Sequence, residues 1–553
     1  MLHVEENTCR PDVKVGQIDL IPLEEYVPRV LRSETIVSSW TDAALQANSV
    51  AERSYAWSLI LAPKYQDQPY DIKDWTQDQA YCDCWWTGGQ RRCGLGDPWL
   101  PRAIRVVSET TGQSVAYDGA VVRAYYGADN SSPTSAIPGH PVFQAVDDPP
   151  SFGSKRSGHG WGMGQWNSER WGREGWSYIQ ILRHFYRNTT IERGAGTEAP
   201  PLFAFDTPWP GRYLTGSGLL LTANATSTGR PVTGVEFRAG WPWSPGESRG
   251  GWRVTDTLAG DGWSALLDAS PLPDLPAAGE WEALRVAGTA YGGDGSSALQ
   301  PLLLTGIDRQ PPTLSARLVA SEGQTATLTL SVADAGPSGV SGVGWSRGWF
   351  WQESQFVWSS GDLVDDPAAT DGHALELRAG RDAPALIDGP FYVGLPPGDL
   401  YRAWFRLRAG ATNDAHELVV LDVVDSGGGR SLGIKRLRSL DFRRAGDYQE
   451  FFVDFDYRDY PGHAVPNGGL ELRVRWLGGV DLALDRVLVT TWPRPSGSTL
   501  ALPLAPGETA ILKAADVAGN ASNDAAVTRP GFKASLPLVM KEWRDRTRPD
   551  PGP

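Results

Sequence analysis

Methionine is scarce in this chain, at 3 of 553 residues, and cysteine nearly as scarce, at 4. The cysteines Cys9, Cys82, Cys84 and Cys93 all fall near one end, so any covalent or metal staple is confined there. An even number so placed reads as one or two disulfides in an exported protein. The competing reading is a zinc site from Cys82, Cys84 and Cys93 completed by Cys9 or a histidine, although the spacing matches no standard ligand pattern. No apolar run is long enough to cross a bilayer, so no membrane span is expected. Positive charge is in deficit: 51 Lys and Arg against 65 Asp and Glu leave −14. That excludes nucleic acid, or an anionic membrane surface, as the main partner. Residues 1–6 have neither the basic stretch nor the apolar segment of a signal peptide. An extracellular or cell-wall location, which the cysteines suggest, would need a leader lost from this start or another export route.

Tryptophan, by contrast, is abundant, with 24 residues. Flat aromatic faces stack on sugar rings, which points to a carbohydrate partner. Any single tryptophan is still first a candidate for the core of a small β domain. The length calls for three or four domains.

Residues 1–200 read as mixed α and β. Leu23, Tyr26, Val27, Val30 and Leu31 recur at helical spacing, with Pro28 in a first turn or at a kink. Thr41 caps a longer helix that ends before Pro63. Residues 103–111 and 176–186 give two more helices, and a hairpin turns at Asp118-Gly119 between 115–117 and 120–126. After residue 200 the helical period vanishes, and alternating runs broken by Gly, Pro, Ser and Asp predict β-sandwiches. One immunoglobulin-like unit spans 205–308. A second is split between 309–344 and 494–530. The piece between them, 345–493, has its own strand set and reads as an inserted jelly roll resembling carbohydrate-binding modules. Trp349, Trp351 and Trp358 near its start are placed in its core before being offered to a sugar. Residues 531–553 read as a flexible tail.

The segment Ser157-Gly158-His159-Gly160-Trp161-Gly162-Met163-Gly164-Gln165-Trp166 is the most unusual in the chain. Alternate glycines weaken a strand and offer nothing to pack. They suit a site where backbone, imidazole and aromatic faces crowd a ligand. This segment resembles the Gly-His-Gly-x-Gly-Met-Ser-Gln-Trp motif of the SpoIID/LytB family. Further blocks agree in order: residues 23–27 with Leu-Glu-x-Tyr-Val, followed by Ser33-Glu34; residues 44–56 with Ala-Leu-x-Ala-Gln-Ala-Val-Ala-Ala-Arg-Thr-Tyr-Ala; residues 79–81 with Gln-Val-Tyr; and residues 178–186 with the closing Tyr-x-x-Ile-Leu-x-His-Tyr-Tyr. The chain departs from the family pattern at Thr35-Ile36, Asn48 and Gly164. At the positions where some members bind zinc it has Lys73 and Asp78, so that metal is not carried over and no cofactor is expected.

The resemblance implies a lytic transglycosylase that cuts peptidoglycan glycan strands between N-acetylmuramic acid and N-acetylglucosamine and leaves a 1,6-anhydro end. Ordinary glycosidases need two carboxylates. Here one suffices, because the substrate's own C6 hydroxyl attacks. The family's catalytic acid falls on Glu34, which needs a raised pKa to protonate the leaving oxygen and then act as base. His159, Gln165, Gln79, Tyr81 and Tyr125 are the expected polar and stacking contacts with substrate, each with a packing role as the alternative. Arg53 is expected to hold a carboxylate inside the domain. A second functional reading is a non-catalytic protein that binds wall glycan or modifies an amidase. A third places other polysaccharides on the β domains.

Overall fold

The computed structural model describes residues 2–4, 15–75, 77–81, 84–87, 90–93, 97–194, 201–227, 231–241, 251–278, 282–293, 296–392, 394–425, 430–459, 469–494 and 497–530. Cys9, Cys82, the side chains of Cys84 and Cys93, and the tail 531–553 lie outside them. No described helix is long and apolar enough to cross a membrane.

The first part of the chain is built on α2 (Asp42–Leu61), against which pack α1 (Leu23–Glu34), α3 (Leu100–Glu109), α4 (Gln165–Arg173) and α5 (Tyr178–Phe185). A helix covered from so many sides cannot carry a wide polar face. Its sequence is accordingly rich in small residues, and Ala47, Ser49, Ala51, Ser54 and Ala56 are all buried. Thr41 accepts the Ala44 N–H at 3.3 Å as the expected cap. It also donates from backbone and hydroxyl to Glu169 Oε2 at 2.7 and 3.0 Å, which fastens the start of α2 to α4. Pro28 lies inside α1. Ser177 and Gln180 form a reciprocal capping box that starts α5.

Strands Gln113–Tyr117 and Ala120–Val121 pair across Asp118 and Gly119, both at positive φ (51° and 72°), as the hairpin reading requires. The second strand is shorter than its sequence predicts. It stops at Val121, and the chain leaves the hairpin so that Tyr126–Gly127 can pair in parallel with Met163–Gly164. That pairing draws the glycine-rich segment onto the helical body.

Beyond residue 200 the described chain is β structure. A three-stranded sheet (Leu202–Thr207, Gly218–Thr226, Trp263–Asp268) and a five-stranded one that includes Ser297–Ile307 bury Phe205, Phe237, Leu221 and Ile307 in a common core. Two three-stranded sheets follow. The first joins Thr313–Glu322 and Thr325–Ala333 to Thr499–Pro503; the second joins Val340–Ser346 to Thr509–Asp516 and Ala525–Thr528. The chain between, from Phe350 to Thr491, forms two six-stranded sheets around the largest core of the molecule, with Phe405, Leu421, Val474 and Trp476 fully buried. Trp349 and Trp351 belong to that core and Trp358 packs on its edge. The architecture is an α+β domain followed by β-sandwiches, one of them interrupted by another.

Candidate active site

Glu34 is the last residue of α1, and the chain leaves the helix at Thr35 in an extended conformation. Its carboxylate accepts the backbone N–H of Ala80 at 2.6 Å and the side-chain amide of Gln165 at 3.0 Å. A third hydrogen bond comes from the Tyr126 hydroxyl. Three segments far apart in sequence therefore meet on one carboxyl. Burial pushes this group up from 4.5 to about 7, and its three donors pull only partly against that. A carboxyl so poised is protonated about half the time near neutrality, so it can give a proton and take one back.

Gln165 reaches Glu34 because it opens α4 directly after the Met163–Gly164 strand. Glycines make that approach possible. Gly162 has φ +62°, and a Cβ there would stand 2.2 Å from the Tyr125 carbonyl oxygen and 2.8 Å from the Tyr186 ring. At Gly164 a Cβ would meet the Asn167 amide oxygen at 1.9 Å, and that oxygen accepts the Asn130 N–H at 2.9 Å. Glycine at the position where the family motif has serine is thus paired with Asn167. Gly162→Ala is expected to cost roughly 3 kcal/mol through left-handed strain and the carbonyl collision. The check is the unfolding transition of the helical domain; an unchanged midpoint would mean that the segment is not clamped as described.

The other expected contacts divide. Gln79 and Tyr81 do not face solvent, being 0% and 2% exposed, which corrects their reading as substrate contacts. Gln79 donates to the Tyr126 hydroxyl and to the Glu52 carbonyl, both at 3.0 Å, and so holds Tyr126 from behind. Tyr81 stacks on Tyr26 with centroids 5.0 Å apart and receives Arg29 at 3.4 Å. His159 is exposed, yet both ring nitrogens are engaged: Nδ1 accepts the Trp161 N–H at 2.9 Å and the other donates to the Tyr126 carbonyl. It braces the loop and is not bonded to Glu34. Tyr125 is partly exposed and meets the rings of His159, Trp161 and Phe143 at 6.1, 6.0 and 5.3 Å. Arg53 clasps Glu24 with two bonds of 2.8 Å, inside the domain as expected.

Two residues of this site escaped sequence reading. Tyr126 supplies a hydroxyl to Glu34, and only its place at the end of the predicted 120–126 strand hinted at it. Glu52 is a second carboxyl, fully buried in α2 with neither oxygen hydrogen-bonded. Burial, and next the nearby Glu34 charge, hold it protonated well above the ordinary carboxylate range.

Residues 12–117 match the family model described as SpoIID, Stage II sporulation protein. The chain carries a SpoIID domain. Glu34, Glu52 and Gln79 lie within the matched stretch, whereas Tyr126 and Gln165 follow it. A SpoIID domain points to a cell-wall-related function. No curated protein matches the chain. Among solved structures, the chain is similar to the fibronectin(III)-like modules of Clostridium thermocellum CbhA, with 12% identity and a TM-score of 0.24 over 60% of this chain and 95% of that one. It is also similar to the CBM22-1–GH10 modules of the Clostridium thermocellum xylanase 10B, at 15% and 0.16 over 28% and 27%. A third is a carbohydrate-binding module of the β-sandwich superfamily, at 12% and 0.17 over 53% and 99%.

Proposed function

We propose that the protein is a peptidoglycan lytic transglycosylase with Glu34 as its single acid and base, held on glycan by its β domains. The observation that carries this reading is the Glu34 carboxyl, pushed to about 7 and gripped by Ala80, Gln165 and Tyr126. The protonated carboxyl gives its proton to the leaving glycosidic oxygen as the C1–O4 bond breaks. The C6 hydroxyl of the same N-acetylmuramic acid ring then forms the C1–O6 bond, and its proton returns to Glu34. No water is consumed, which matches a site with one accessible carboxyl. Glu52, fully enclosed, cannot activate a water on the substrate.

The test is incubation with purified denuded glycan strands and mass spectrometry of the ends. Anhydro-muramyl termini are the expected product. Strands retained by the protein but never cut would instead favour the wall-binding or amidase-modifying alternative.

The hydrogen bonds fix a second expectation. Gln165 donates to the ionised form of Glu34, so it lowers the pKa that burial raises. Gln165→Leu is expected to move the alkaline limb of the pH–rate profile upward, by about half a unit to one unit. A limb that stays in place would separate Gln165 from the acid.

A further inference from the structure

Resting on the reading above, we infer that Trp161 is the stacking platform on which one pyranose ring of the glycan sits beside Glu34. The residue occupies the open position of the Gly-His-Gly-x-Gly-Met motif, so the resemblance assigns it nothing. Trp161 is 36% exposed, whereas Trp171, Trp176 and Tyr186 of the same domain are buried. Its indole is nevertheless fixed. One face lies on the His159 imidazole, with centroids 5.0 Å apart and planes 27° from parallel, and the edge of Tyr125 meets it at 6.0 Å. The backbone is held on both sides: the Trp161 N–H goes to His159 Nδ1 at 2.9 Å, and its carbonyl accepts Asn130 Nδ2 at 3.2 Å. Gly160 and Gly162, flanking it, both have positive φ and no room for a Cβ.

Tyr126 links the platform to the acid. His159 bonds the Tyr126 carbonyl, and the Tyr126 hydroxyl bonds Glu34. Four residues further on, Gln165 bonds the same carboxyl. A rigid, partly exposed indole at this place has no core to serve. Its chemistry fits the apolar C–H face of a hexosamine ring, and preorganisation removes the ordering cost of binding.

Trp161→Ala is expected to raise the KM for denuded glycan about tenfold and leave kcat within about twofold, because stacking acts equally on ground and transition states. Trp161→Phe should recover most of the loss. Tyr291→Ala, an exposed aromatic on a distant sheet, serves as control. An unchanged KM overturns the platform. So does a fall in kcat accompanied by a shifted pH–rate limb, which would make Trp161 a brace for Tyr126 alone. Binding of short soluble denuded fragments, compared calorimetrically between Glu34→Gln and Glu34→Gln/Trp161→Ala, must fall by about the same tenfold. That comparison needs no turnover, so a wild-type protein that fails to make anhydro ends overturns the proposed reaction while the platform stands or falls on binding.

Discussion

Glu34→Gln is expected to lower formation of anhydro-muramyl ends by about 10³-fold and, at the same time, to make the helical domain more stable in mild alkali. The first effect follows from losing the group that the proposed reaction uses to exchange the proton. The second follows from the sign of the pKa shift. A carboxyl raised from 4.5 to about 7 binds more protons folded than unfolded between those values. Wild-type stability therefore falls as pH rises through that window, and the glutamine variant escapes that fall. At ~1.4 kcal/mol per unit the shift is worth roughly 3 kcal/mol. Close to 2 kcal/mol is expected to survive, because the new amide nitrogen must face one of the N–H donors that now serve the carboxylate. Thermal unfolding of both proteins at about pH 5 and about pH 8 checks this: the gap should open at the higher pH and nearly close at the lower. Equal gaps at both would mean that Glu34 titrates like an exposed glutamate. A residue that weakens the fold where it would act is a known mark of a catalytic group.

Lys513→Met should be the most damaging change in the β region. Lys513 is fully buried on the Thr509–Asp516 strand, and its ammonium lies 2.6 Å from Glu450 and 2.5 Å from Asp524. Arg486 completes the square, reaching Glu450 at 3.0 Å and Asp524 at 2.7 Å. Glu450 and Arg486 belong to the large sandwich between Phe350 and Thr491, while Lys513 and Asp524 belong to the one it interrupts. Two cations and two carboxylates thus neutralise one another across that junction. Removing one cation leaves two partly exposed carboxylates, which line a polar cavity, facing Arg486 alone, at a cost of about 1–3 kcal/mol. The expected result is a lower unfolding midpoint and earlier proteolysis near residues 494–500, read by calorimetry and limited digestion. Lys513→Arg should fail to rescue fully, since a guanidinium does not fit a site shaped for a point charge. A melting curve indistinguishable from wild type would show that the square contributes nothing to holding the two sandwiches.

Much of this architecture was legible before any coordinates. Thr41 and Asp118-Gly119 act through their nearest neighbours, so cap and turn chemistry placed them correctly. The separate strand set between 345 and 493 could be read because alternation and β-branched content are local. The site was legible in part. Glu34 and the glycine-rich loop were recognisable as motif pieces, and Gln165 proved to bond the acid. Gln79 and Tyr81 misled because a polar side chain near a motif gives no sign of which way it faces. Burial depends on what folds over it, in this case Tyr126 and Tyr26.

From its residues alone the chain dictated local matters: which segments would coil, which would extend, and that a glutamate stood where the family resemblance puts an acid. Only tertiary packing decided that Glu34 sits among donors from three distant segments, that Tyr126 completes the grip, and that Glu52 lies sealed beside it without a partner. The reason is that a proton's affinity for a carboxyl is set by the water excluded around it and the dipoles aimed at it. Both are supplied by residues dozens to more than a hundred positions away along the chain.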